Sequence, residues 1–101
     1  MNATEIAALA RLIEHAVLHP TSGNADLEAG VSLARECEVA ALCVKPCDVT
    51  AAAKGLAGSS VALCAVTAFP HGNASTRIKV AETLAALDDG ATSFRARENA
   101  R

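Results

Sequence analysis

Lys45, Cys47 and Asp48 lie within four residues of one another, directly after an apolar run that ends at Val44. An amine in such a place can attack an aldehyde, provided its pKa is depressed enough for the neutral form to be present. The other two lysines, Lys54 and Lys79, fall in amphipathic stretches and read as solvated side chains. Four cysteines, Cys37, Cys43, Cys47 and Cys64, contain no Cys-x-x-Cys pair. With no secretory leader in view they read as reduced, chiefly buried thiols, with redox chemistry or metal binding as the less favoured alternatives. A metal site of His15, His19 and His71 would need three loops to converge without supporting carboxylate or cysteine spacing, so no metal and no cofactor is expected. "PHGNAST" after the third apolar run could hold an anion at a helix N-terminus. Capping by Asn73, Ser75 or Thr76 explains the same residues without a ligand.

The elements that must position these groups alternate regularly. Asn2 reads as the cap of a first helix, with Glu5 reaching back and Ile6, Leu9 and Ile13 on one inward face. Glu14 to Leu18 reads as a first strand. Asn24 reads as the cap of a second helix, with Leu27, Val31 and Ala34 inward. "VAALCV" (Val39 to Val44) is a second strand and "VALCAV" (Val61 to Val66) a third, both apolar throughout as for strands covered on two faces. Pro46 opens a third helix with Val49, Ala52, Ala53 and Leu56 inward, ended by Gly55 and Gly58. Ser75 or Thr76 starts a fourth, with Ile78, Ala81, Leu84 and Ala85 inward and Gly90 just beyond it.

Strand starts near 14, 40 and 61 are a little over twenty residues apart, which suits β-α units with parallel strands and not hairpins. The class is α/β. Rhythm alone leaves two architectures, an open doubly wound sheet or part of a (β/α)8 barrel. The absence of G-x-G-x-x-G and of a Walker pattern counts against a nucleotide-binding fold. A whole barrel takes about 250 residues, so 101 residues supply at most its first part. In either case the loops after the strands, "HPTSGN", "KPCD" and "AFPHGN", carry the site. They bring His19, Lys45, Cys47, Asp48, His71 and Asn73 to one end of the sheet, with Glu14 and Cys43 in the strands beneath.

A net charge of −2 without a basic cluster argues against nucleic acid as a partner. No apolar run approaches the roughly 18–20 residues of a membrane span, and "MNATEIAALARL" has no basic n-region. A cytoplasmic location is expected.

"LIEHAVLHP", "AALCVKP" and "AVTAFPHGN", in this order and at these separations, resemble the first three strands of the deoxyribose-phosphate aldolase family, from about Leu9 to Ala91. The resemblance implies a partial (β/α)8 barrel of about three β-α units with a parallel sheet, plus an N-terminal helix. It also implies a class I aldolase chemistry: cleavage of 2-deoxy-D-ribose 5-phosphate to glyceraldehyde 3-phosphate and acetaldehyde through a lysine Schiff base, in the cytoplasm. The family's nucleophilic and helper lysines belong to strands six and seven, and its phosphate site to late loops, so these residues should be inactive alone and catalytic residues are none. By the resemblance Glu14 stands for an active-site aspartate and Cys43 for a pocket cysteine. Ala16 replaces a threonine, and Lys45 is a weak candidate amine at a position the family does not use.

Family members continue after Gly90 and Ala91 with Asp-Glu-hydrophobic-Asp, whereas this sequence reads Thr92, Ser93, Phe94, Arg95. Arg95 thereby takes the place of a catalytic aspartate. Loss of one base converts Ala-Asp-Glu codons into Ala-Thr-Ser codons, so residues 1–91 are expected to be the aldolase portion and 92–101 an out-of-frame tail. "ATSFRA" still alternates enough for a short edge strand, which stands beside a disordered tail as the alternative. An incomplete barrel leaves strand edges and an inner face open. A homo-oligomer, most simply a dimer through that open face, is expected. The competing functional reading is a non-catalytic, self-assembling α/β module.

Overall fold

The computed structural model describes residues 1–96. The chain runs α1 (Ala3–Ala10), β1 (Glu14–Val17), α2 (Asn24–Cys37), β2 (Ala41–Val44), a 3₁₀ turn (Pro46–Asp48), α3 (Val49–Leu56), β3 (Ala62–Thr67), α4 (Thr76–Asp89) and β4 (Ser93–Ala96). The four strands form one parallel sheet in the order β1-β2-β3-β4. This order chooses between the two architectures that sequence rhythm leaves open. Crossovers between parallel strands are right-handed, so strands added one after another in the same direction put every helix on the same face. A doubly wound sheet would reverse direction midway. The fold is therefore an α/β barrel segment, with helices outside and a concave face inside.

Side-chain alternation divides the interior accordingly. Leu42, Val44, Leu63 and Ala65 point to the helices and pack with Leu27, Val31, Ala34, Val49, Ala52 and Leu56. Cys43, Cys64 and Val66 point the other way and form a separate small cluster with Leu18. Gly30 allows α2 to lie close on β1: a Cβ there would sit 2.5 Å from Val17 Cγ2. Arg35 caps the end of α3 by donating to the carbonyls of Gly55 and Ala57, at 3.0 and 2.9 Å.

The expected inward face of α2 is observed, as is that of α3, but those of α1 and α4 are not. Ile6, Leu9 and Ile13 are exposed, and α1 buries no residue. The helix leans toward α2 and leaves an open apolar cleft of about 440 Å³ lined by Ile6, Leu9, Ile13, Leu33 and Cys37. In α4 the expected face of Ile78, Ala81, Leu84 and Ala85 is exposed and Ala86 is the buried residue. Polar demand at the end of β3 decides this. Thr67 points to the helix layer, is 1% exposed, and shares a 3.2 Å hydrogen bond with Thr83. Ala68 has a left-handed φ of 55°, and its N–H donates to Glu82 Oε1 at 2.7 Å. An unpaired buried polar group costs more than one partly exposed leucine, so the Glu82–Thr83 side of α4 turns inward.

Smaller differences follow from local geometry. The strands are shorter than their apolar runs. Gly23, not Asn24, is the N-cap of α2, its N–H donating to Asp26. Pro46 lies in the 3₁₀ turn that precedes α3, and Gly55 lies inside that helix. Asn2 caps α1 as expected, accepting from Glu5 N at 2.8 Å. Ser93–Ala96 pairs in parallel with Cys64–Thr67, so the strand alternative for "ATSFRA" holds; the rest of the expected tail lies outside the described residues.

Candidate functional site

The concave face carries the site. Counting along β1, β2 and β3, the inward positions include Glu14, Ala16, Cys43, Cys64 and Val66, and the register sets Ala16 beside Cys43 and Cys43 beside Cys64. Glu14, Ala16, Cys43 and Val66, with Leu18, Phe69, Arg95 and Ala96, surround a cavity of about 330 Å³, and Cys64 lies buried beside Cys43. Glu14 and Cys43 both line this cavity.

Arg95 crosses this face. It leaves β4, three strands from β1, and makes a two-pronged ion pair with Glu14: Nε donates to Oε1 at 3.2 Å and a second guanidinium nitrogen to Oε2. Fork-to-fork pairing of this kind is the strong geometry for arginine and carboxylate. The hydrogen bonds from Arg95 hold the Glu14 carboxyl below its usual range, against a smaller opposing effect of burial. Cys43 and Cys64 lie near this pair, at 3% and 2% exposure. Burial, and then the adjacent Cys64, pushes the Cys43 thiol up to about 12, so it is a protonated, unreactive thiol at neutral pH.

Lys45 is not in the cavity. Its ammonium donates to the carbonyls of His19 and Ser22, at 3.2 and 3.0 Å, and stands 3.8 Å from Asp48. Expected as a weak candidate amine or a plain exposed lysine, it is a partly buried tie between the loops after β1 and β2. These contacts hold the amine as an ammonium, and an ammonium has no lone pair with which to attack a carbonyl. The histidines do not converge. His15 sits against Gly30 in the helix layer, and His19 accepts from Thr21 in its own turn. Cys37 and Cys47 are exposed and free, in contrast to the expected burial. Cys64 is the site residue that spacing misses, and the resemblance that sets Arg95 at a catalytic position does not show its pairing with Glu14, because only the strand register brings these groups together.

No family model matches the chain. Individual proteins do. A deoxyribose-phosphate aldolase of Treponema denticola is 40% identical over 83 residues, 82% of this chain and 38% of its own length. That of Rhodopirellula baltica is 40% identical over 82 residues, 81% of this chain and 34% of its own. Among solved structures, one from Coccidioides immitis assigned to deoxyribose-phosphate aldolase superposes with a TM-score of 0.88 at 29% identity, over 95% of this chain and 38% of that one. A one-directional parallel sheet with helices on one face and a concave face opposite defines a β/α-barrel segment. The chain belongs to the deoxyribose-phosphate aldolase family, and it spans a little over a third of the length of the relatives it matches.

Proposed function

We propose that this chain supplies the first strands of a deoxyribose-phosphate aldolase barrel and the pocket wall they carry, and that by itself it forms no Schiff base. One observation carries the reading: Glu14 and Cys43 line the concave cavity, whereas no lysine does. A retro-aldol cleavage of 2-deoxyribose 5-phosphate needs an amine poised at the carbonyl carbon. The nearest amine by sequence, Lys45, is committed to loop carbonyls. The Arg95–Glu14 pair further occupies the carboxylate that would otherwise help to move protons. Borohydride trapping of the purified chain with acetaldehyde or the sugar phosphate, read by intact and peptide mass spectrometry, tests this. The expected result is no adduct, and reduced adduct on Lys45 would overturn it.

Self-assembly is the second reading, favoured by where large apolar side chains remain exposed. Cys43, Cys64 and Val66 are already buried on the concave side, so the surface offered to a second copy is not chiefly the open barrel face. It is α1 with Ile6, Leu9 and Ile13, and the outer stripe of α4 with Ile78, Leu84 and Leu87. Groups of this size left in water favour association. A homologous fold from Aeropyrum pernix is described as a unique tetramer. Sedimentation at low micromolar concentration is expected to show a homo-oligomer, a dimer in the simplest case, that Leu84→Glu weakens. A well-folded monomer would remove this reading. No helix among the described residues is long and apolar enough to cross a membrane, and the cytoplasmic placement rests on the family resemblance.

A further inference from the structure

Among the described residues one group of three potential metal ligands comes together: Glu14, Cys43 and Cys64, whose carboxylate oxygen and two sulfurs all lie within 4.8 Å of one another. They come from three adjacent strands, and the parallel register that pairs Cys43 with Cys64 and Ala16 with Cys43 assembles them. Tetrahedral zinc, with bonds of about 2.3 Å to sulfur and about 2.0–2.2 Å to oxygen, requires ligand atoms about 3.5–3.8 Å apart. The triad in the empty site already lies within about 1 Å of that spacing. The fourth position opens into the cavity bounded by Leu18, Val66 and Phe69, where water or an added ligand would complete the shell. We propose that Glu14, Cys43 and Cys64 form a binding site for a thiophilic divalent cation of the zinc or cadmium class, with Arg95 as its displaceable cover.

The charge arithmetic supports the assignment. Two thiolates and a carboxylate bring three negative charges, a divalent ion leaves one, and Arg95 balances it from outside. Arg95 is able to make this move because its side chain is 68% exposed, so the released guanidinium passes into water. Two carbon-bound sulfurs with one oxygen suit zinc and cadmium and not magnesium or calcium, which take oxygen ligands. Sulfur binds such an ion as thiolate, so loading releases thiol protons to solvent.

The test uses the full chain with Cys37→Ser and Cys47→Ser, which removes the two exposed thiols, titrated with cadmium chloride under reducing conditions. A sulfur-to-metal charge-transfer band that saturates at one equivalent with two-thiolate intensity is expected. Cys64→Ser should leave a one-thiolate band of much lower affinity. Glu14 is at the surface, so Glu14→Gln keeps the fold if the cysteine variants do not; it should weaken binding at least tenfold. One equivalent of cadmium should also slow alkylation of Cys43 and Cys64 in the parent. No saturable band, a band unchanged by Cys64→Ser, or equal affinity in Glu14→Gln would each overturn the proposal.

Discussion

Replacing Gly30 with alanine tests how tightly α2 is seated on the strand that carries Glu14. An alanine Cβ would lie 2.5 Å from Val17 Cγ2, with His15 Nε2 at 3.8 Å and Leu42 Cδ1 at 3.9 Å. Carbon atoms pack at about 3.5–4.0 Å, so only the Val17 contact is short, by about 1 Å or more. Valine is stiff at χ1, and rotating it would drive a methyl into neighbours, so the helix must lift. Overpacking of this kind costs about 1–3 kcal/mol. Alanine in a helix returns about 1 kcal/mol relative to glycine. The net expectation for Gly30→Ala is a loss of about 0–2 kcal/mol. Removing the obstructing methyl reverses the sign: in a Val17→Ala background the same substitution should gain up to about 1 kcal/mol. Urea unfolding of the four proteins, followed by far-ultraviolet circular dichroism with unchanged m-values, measures a coupling of about 1–3 kcal/mol. A Gly30→Ala protein that is more stable than the parent, with no coupling to Val17, would refute the close approach.

Other outcomes follow from the same contacts. Alkylation followed by peptide mass spectrometry should label Cys37 and Cys47 quickly and Cys43 very slowly. A thiol at about 12 is only about one part in 10⁵ thiolate at pH 7. Because Arg95 lowers the Glu14 pKa in the folded chain, the pair stabilises the fold above the unfolded carboxyl range. That contribution is lost as pH falls through the lower, folded value. The stability difference between the parent and Glu14→Gln should be constant at neutral pH and shrink in acid, and a difference that grows in acid would contradict the pairing. Thr83→Val removes the hydroxyl that Thr67 shares at 1% exposure. It should cost about 1–3 kcal/mol by chemical denaturation despite being an isosteric change toward greater hydrophobicity.

The comparison of α3 with α4 shows where sequence reasoning stops. In α3 the apolar stripe of Val49, Ala52 and Leu56 is the buried stripe, because nothing polar beneath it competes. In α4 a much weaker stripe faces outward, because Thr67 and the Ala68 N–H require Thr83 and Glu82. Periodicity reports which face of a helix is apolar, and the partner beneath determines which face is buried. The site divides in the same way. Glu14 and Cys43 are recognisable from the motifs around them. Cys64 and Arg95 are distant in sequence and become neighbours only through strand register and the curl of the sheet.

By itself the sequence determined the class of fold, the succession of strands and helices, the caps of α1 and α4, and the aldolase motifs, since these depend on the preferences and spacing of residues close together in the chain. Tertiary structure alone decided that the sheet grows in one direction, that residues 93–96 complete it, and that an arginine spans its concave face to a glutamate over two buried thiols. Those outcomes depend on hydrogen-bond register and on groups brought together across 81 residues of sequence, to which local pattern is blind.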